Sequence, residues 1–189
     1  MTKDTQPPRR FSVIDREHAF AGRSFDVVVV QIELPSGRLV TREIVHHPGA
    51  VAIVPVLDSG DILLVRQDRP AAGQALWELP AGTLEPGEAP LACARRELVE
   101  ETGYEASKWT CLSVFFTSPG ICDERMSLFR ANALRRICEP DPEEIEMCRA
   151  FSATKLARMA QDGEIRDAKT LIGLLAMGHE VLSSPTGGA

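Results

Sequence analysis

Arg96, Glu97, Glu100 and Glu101 stand within six residues of one another, downstream of a Gly/Pro loop, in the segment GTLEPGEAPLACARRELVEETGY that runs from Gly82 to Tyr104. The fixed points are Gly82, Glu88, Arg96-Glu97-Leu98, Glu100-Glu101 and Gly103. At average residue usage, seven such Gly, Glu and Arg identities in register arise by chance in roughly one chain per million. At about 100° per residue, the three late glutamates fall within an arc of roughly 100° on one helical face. Like charges crowded there destabilise a helix unless a cation sits among them. Arg96 lies close to Glu100 on the helical wheel and is expected to orient it with a forked hydrogen-bond pattern. The remaining carboxylates suit a hard divalent cation, because Mg²⁺ and Mn²⁺ prefer oxygen ligands. A metal held in this way, with open coordination positions, suits the binding and cleavage of a diphosphate.

The elements that must position these groups follow from periodicity. Pro90 suits the first turn of the acidic helix and Gly103 its end. Leu91, Ala94, Leu98 and Thr102 form a second face suited to packing on a sheet. Upstream, Phe25–Leu34 and Arg38–Val45 are predicted strands around the turn Pro35-Ser36-Gly37, and Ala50–Leu57 and Asp61–Gln67 are strands joined across Asp58-Ser59-Gly60. Leu76–Leu79 leads into the acidic loop. Trp109–Phe116 and Ser127–Leu134 are further strands, and the acidic, Pro-broken loop EPDPEEIE (Glu139–Glu146) precedes a short one. Ser152 can cap a helix reaching about Gln161, and Ala168–Leu182 forms a terminal amphipathic helix. Residues 1–10 form a loose polar arm, 11–48 a β-rich region, 49–182 the main domain, and 183–189 a tail.

A chain of 189 residues with sparse aromatics builds one core mainly from Val, Leu, Ile and Ala. No apolar run has the length of a membrane span, and the start MTKDTQPPRR lacks a secretory signal's apolar stretch. Five cysteines, with no CxxC pair, argue against a disulfide framework or a zinc site and for reduced thiols in the cytoplasm. A formal charge of −6 argues against non-specific nucleic-acid binding, but not against an anionic substrate carried on metal.

The Gly82–Tyr104 pattern resembles the Nudix box and matches it at every charged and glycine position, with Tyr104 in place of the usual final aliphatic residue. The resemblance implies an α/β/α sandwich with a mixed sheet and an N-terminal antiparallel hairpin region. It also implies hydrolysis of a nucleoside diphosphate linked to another moiety, with Mg²⁺ or Mn²⁺ as cofactor. By position, Glu97 and Glu101 are direct metal ligands, Glu100 a further or bridging one, and the carbonyl of Ala81 another. Glu85 and Glu88 support the site.

The segments HHPGAVAIVPV, LLVRQDRPAAGQALWELPAG, FFTSPGICDE and GEIRDAKTLIGLL resemble the ADP-ribose pyrophosphatases within that superfamily. This implies Arg42, Arg66 and Pro119 as substrate contacts and a homodimer joined through its N-terminal strands. It also implies a water-activating base in the Asp141–Glu146 loop, Glu143 or alternatively Glu144. One departure stands out: Asp68 occupies a position that is often aromatic, and it cannot stack on a base. Hydrolysis of another nucleoside diphosphate sugar, such as GDP-mannose, is the alternative enzymatic reading. A ligand sensor without turnover is a further one, though such regulators usually lose the box carboxylates that this chain keeps.

Overall fold

The computed structural model describes residues 10–140, 142, 143 and 145–178. They fall into two compact units, one comprising the chain up to His47 plus Ser118–Glu124, the other Pro48–Thr117 and the chain from Arg125 onward.

The first unit is an antiparallel sheet of β1 (Ser12–Ala21), β2 (Asp26–Glu33) and β3 (Leu39–His46), in that order. The expected hairpin joins β2 to β3. Its turn is closed by the Leu34 N–H donating to the Arg38 carbonyl at 3.0 Å and the Gly37 N–H to the Leu34 carbonyl at 2.8 Å. The valine run of β2 resolves into period two. Val28, Val30 and Ile32 are buried against Leu34, Val40 and Ile44, while Gln31 and Glu33 face solvent. β1 is exposed along its whole length. Two register shifts break its alternation, which is why periodicity did not single it out as a strand. Residues 118–124 dock on the end of β3. The Val45 N–H donates to the Ile121 carbonyl at 2.8 Å, and His46 Nδ1 meets Asp123 Oδ2 at 2.5 Å.

The second unit contains β4 (Ala50–Pro55), β5 (Ile62–Arg69), β6 (Gln74–Glu78), β7 (Ala81–Thr83), β8 (Tyr104–Phe116), β9 (Arg125–Arg136) and β10 (Met147–Phe151). Its helices are α1 (Pro90–Thr102), α2 (Ala153–Gln161) and α3 (Ala168–Ala176). One sheet is mixed, ordered β7-β4-β9-β8, with β4 and β9 parallel; the other is antiparallel, ordered β10-β5-β6. Every residue of β4 is buried. Successive side chains of a strand point to opposite faces, so each face of β4 serves its own core. Val51 and Ile53 pack with Cys93, Ala94 and Leu98 of α1. Ala50, Ala52 and Val54 pack with Leu156 and Met159 of α2 and Leu174 of α3. This is the expected α/β/α sandwich with a mixed sheet.

Local signals set most boundaries. Ser152 caps α2 as expected, its hydroxyl accepting the Lys155 N–H at 3.3 Å. α3 ends at Ala176 and Met177–Gly178 form a turn, so the helix stops short of the expected run to Leu182, whose residues 179–182 lie outside the described ones. β8 begins at Tyr104 rather than Trp109, because Gly103 hands the chain directly to pairing of Tyr104 with Arg136. On α1, Ala94, Leu98 and Thr102 are buried as expected, whereas Leu91, on the first turn, is 36% exposed.

Gly103 is fixed by two independent constraints. Its φ is +74°, and a Cβ there would lie 2.2 Å from the Cys138 carbonyl oxygen. Gly103→Ala should therefore lose about 1–2 kcal/mol from backbone conformation alone, with the overlap adding to it. Urea denaturation measures this, and an unchanged midpoint would contradict it.

Candidate active site

α1 presents its acidic face to β7 and to the loop between them. Glu97 and Glu101 are 8% and 4% exposed, low values for carboxylates on one helix face. Glycine makes the approach possible: a Cβ on Gly82 would stand 1.8 Å from Glu97 Oε1. No other residue type leaves room for that carboxylate.

The Arg96 guanidinium organises the charges. Its Nε and Nη2 donate to the two Glu88 oxygens at 3.1 and 2.9 Å. Nη1 donates to Glu97 Oε1 at 2.6 Å and to Glu100 Oε2 at 3.1 Å, and Nη2 also reaches the Thr83 carbonyl at 3.3 Å. The fork expected on Glu100 thus falls on Glu88. The planar pair of donors meets a carboxylate across the loop, while the helical neighbours receive one bond each. The Arg96 hydrogen bonds, joined by the Glu85 N–H at 3.1 Å, hold the Glu88 carboxyl down to about 2. Arg96 itself is raised above its usual value, chiefly by the Glu88 bonds. Beneath it, burial first and the Glu88 charge second push the Cys93 thiol up to about 12, so this cysteine is a neutral packing group.

Glu101 is arranged differently. Its Oε2 accepts the Ala81 N–H at 2.9 Å. Burial pushes its carboxyl up to about 8, with the Glu97 charge adding to this; Ala81, Arg69 and Lys169 pull the other way. Among the described residues, no three His, Cys or carboxylate side chains converge in a ready metal-ligand cluster. Arg96 and the Ala81 N–H hold these carboxylates instead. The groups nevertheless fit a hard divalent cation. All the donors are oxygens, the Gly82 cradle admits the Glu97 carboxylate, and a buried, protonated Glu101 is a group that a cation would ionise.

The other candidates stand on other elements. Arg66 on β5 pairs with Glu146 at 2.8 Å. Arg42, on β3 of the first unit, donates to the Thr41 carbonyl at 2.7 Å, and Pro119 lies in the docked loop of that unit. Glu143 occupies an exposed turn whose neighbours Pro142 and Ile145 line a cavity of about 550 Å³, walled also by Thr102 and Tyr104 at the end of α1. Asp141 and Glu144 fall outside the described residues. Asp68 is exposed on β5 opposite Ala75.

Sequence reasoning missed an ionic cluster beside the loop, built around the buried Glu78. Glu78, 1% exposed, accepts Arg69 Nε and Nη2 at 2.8 and 2.7 Å and also the Lys169 ammonium. Burial works to raise the Glu78 carboxyl, and the bonds and charges of the two cations outweigh it, so the group is held below its ordinary value. All three residues stand in segments whose resemblance was noted, but nothing in one-dimensional spacing pairs residues 78 and 169.

A NUDIX domain model matches residues 46–172. The chain is 41% identical to an ADP-ribose pyrophosphatase of Bacillus subtilis over 83% of this chain and 86% of that protein. It is 40% identical to an ADP-ribose pyrophosphatase of Mycobacterium tuberculosis over 88% and 83%. A crystal structure of an ADP compounds hydrolase superposes with a TM-score of 0.79 at 20% identity, covering 97% of this chain and all of that one, which supports the fold.

A cation bound at Glu101 would have to displace the proton that burial keeps there, so its binding should depend on pH. A group with a native pKa near 8 against an ordinary 4.5 carries more protons folded than unfolded. Stability of the metal-free protein should therefore fall as pH rises from 4.5 towards 8. A cation must displace that proton, so Mn²⁺ affinity should rise by about tenfold per pH unit below 8 and level off above it. Calorimetric titration across pH 6–9 checks this, and a flat affinity profile would show that Glu101 is already ionised.

Proposed function

The chain belongs to the NUDIX domain family, and from that premise we propose that it cleaves ADP-ribose with water to AMP and ribose 5-phosphate, as a divalent-metal-dependent hydrolase. The observation that carries the reading is the Gly82–Gly103 segment folded as one unit, with Glu97, Glu100 and Glu101 on a single helix face around Arg96. Relatives named for this activity align over more than four-fifths of the chain.

Glu97, Glu100, Glu101 and the carbonyl of Ala81 are the proposed ligands of Mg²⁺ or Mn²⁺. When bound, the metal supplies charge neutralisation at the diphosphate and lowers the pKa of water beside it. The chain's own groups do the rest. Arg96 keeps Glu97 and Glu100 aligned and balances their charge. Arg66 is the proposed phosphate contact of the second unit. A diphosphate would take its guanidinium from Glu146, an exchange of one anion for another at a half-exposed pair. Arg42 and Pro119 are the proposed substrate contacts of the first unit. Glu143 is the proposed base, taking a proton from the attacking water as the phosphorus–oxygen bond forms. The AMP or ribose phosphate oxygen then leaves, so no covalent enzyme intermediate is needed.

Asp68 favours one second reading. An exposed carboxylate where the ADP-ribose pyrophosphatase pattern often has an aromatic residue offers no stacking surface for adenine, so a different nucleoside diphosphate sugar such as GDP-mannose is the alternative substrate. No helix among the described residues is long and apolar enough to cross a membrane. We place the protein in the cytoplasm on the strength of its unpaired cysteines. A homodimer is proposed through β1, whose Val13, Ile14 and Phe20 are at least half exposed.

Turnover of ADP-ribose, GDP-mannose, ADP-glucose, NADH and diadenosine polyphosphates with Mg²⁺ should show a clear ADP-ribose preference that Glu101→Gln abolishes. A preference for another sugar nucleotide would keep the chemistry and change the substrate. Binding without turnover would favour a sensor. Glu143→Gln should lower kcat by about two orders of magnitude with metal binding retained, and unchanged turnover would remove Glu143 from the role. Light scattering at micromolar concentration should give twice the 20.7 kDa chain mass, and a monomeric mass would exclude the dimer.

A further inference from the structure

The segment Glu78–Ala81 passes from β6 in one sheet to β7 in the other, and each of its residues is held by a different bond. Glu78 is gripped by Arg69 at the end of β5 and by Lys169 in the first turn of α3. The Leu79 N–H donates to Thr170 Oγ1 at 2.8 Å, again on α3. The Pro80 carbonyl accepts the Ile53 N–H of β4 at 2.9 Å. The Ala81 N–H donates to Glu101 Oε2 on α1 at 2.9 Å. A continuous set of directional contacts therefore links the start of α3 to the acidic face of α1.

The α3 end of this path is itself braced. Asp167 caps the helix, accepting the Thr170 N–H at 2.9 Å and the Thr170 hydroxyl at 2.5 Å, and it pairs with Lys169 at 3.0 Å. Formal charges cancel within the group, with Glu78 and Asp167 against Arg69 and Lys169. A closed cluster of this kind leaves no net charge to attract a ligand. Buried ion pairs add little net stability over apolar packing, so stability alone is a poor reason for four charged side chains to meet there. What they supply is direction: a carboxylate gripped from two elements has one position.

We propose that the first turn of α3 is a positioning element of the active site, in which Lys169 and Thr170 fix Glu78 and Leu79 and so hold Ala81 and Glu101 in the relation that a divalent cation requires. The proposal rests on the metal-binding reading of Ala81 and Glu101 given above. Lys169 and Thr170 touch neither cation nor substrate in this account; they act through the peptide between them and Ala81.

The test compares Thr170→Val and Lys169→Met with Leu156→Ala, a core truncation on α2 that weakens the fold and removes none of the path's hydrogen bonds. Thr170→Val keeps the side-chain shape and removes the hydroxyl, so it carries the test if Lys169→Met fails to fold. Each folded variant is titrated with Mn²⁺ in the absence of substrate, and its thermal midpoint and kcat and KM for ADP-ribose are measured. Both α3 variants should bind Mn²⁺ about tenfold or more weakly, the usual scale for removing a group that orients a ligand. Their kcat should fall more than KM changes, and Lys169→Arg should recover part of the affinity. Leu156→Ala should lower the midpoint and leave Mn²⁺ affinity unchanged. Mn²⁺ affinity equal to that of the unaltered chain in both α3 variants, or a loss matched by Leu156→Ala, would overturn the proposal. Because Mn²⁺ binding is read without substrate, an error in the substrate assignment leaves this comparison intact.

Discussion

One guanidinium answers for three carboxylates, and the geometry of the site follows from that demand. Arg96 contacts Glu88, Glu97 and Glu100 at once. A compact ammonium could not cover that spread, whereas a planar group with five donors can bond a carboxylate edge-on and still reach two more. Its longest reach, to Glu88 and the Thr83 carbonyl, ties the loop to the helix. The loop is thus located by a side chain of the element that follows it. Glu101, left to the Ala81 N–H, is the carboxylate that burial drives towards its neutral form. A site that pairs three carboxylates with one arginine and leaves a fourth raised by burial gathers the oxygen donors that suit a hard divalent cation.

That arrangement needs a floor buried on both sides. β4 supplies it, with Val51 and Ile53 against α1 and Ala52 and Val54 against α2 and α3. The acidic helix and the terminal helix can therefore act on the same short connection from opposite faces of one sheet. Burial is also what gives the polar contacts their weight. A hydrogen bond or ion pair excluded from water is directional and costly to leave unmade, so the chain from Glu78 to Ala81 is held far more firmly than an exposed loop would be. The first unit contributes a different kind of order. A strand pair with one buried face carries β1, whose apolar side chains are left outward.

Local physics made much of this legible beforehand. Pro90 and Gly103 bound α1, Ser152 opens α2, and the turns at Pro35–Gly37 and Asp58–Gly60 separate strands, because each signal acts within a few residues of itself. β1 was not resolved as a strand because its register shifts spoil the period that reveals one. The position of the Arg96 fork was misjudged for a related reason. Helical-wheel geometry counts only neighbours on the helix, and the better partner, Glu88, lies on the loop.

The sequence by itself determined that a helix bearing Arg96, Glu97, Glu100 and Glu101 would follow a glycine-containing loop, since spacing along a helix converts directly into a shared face. It also pointed to a chemistry, because oxygen donors at that register suit hard cations. The tertiary structure decided which carboxylate Arg96 grips, that Gly82 must be bare to admit Glu97, and that Lys169 meets Glu78 from 91 residues away. Those outcomes depend on strand order and on how closely layers approach, and no periodicity in one dimension encodes the distance between two elements that meet only when the sheet is built.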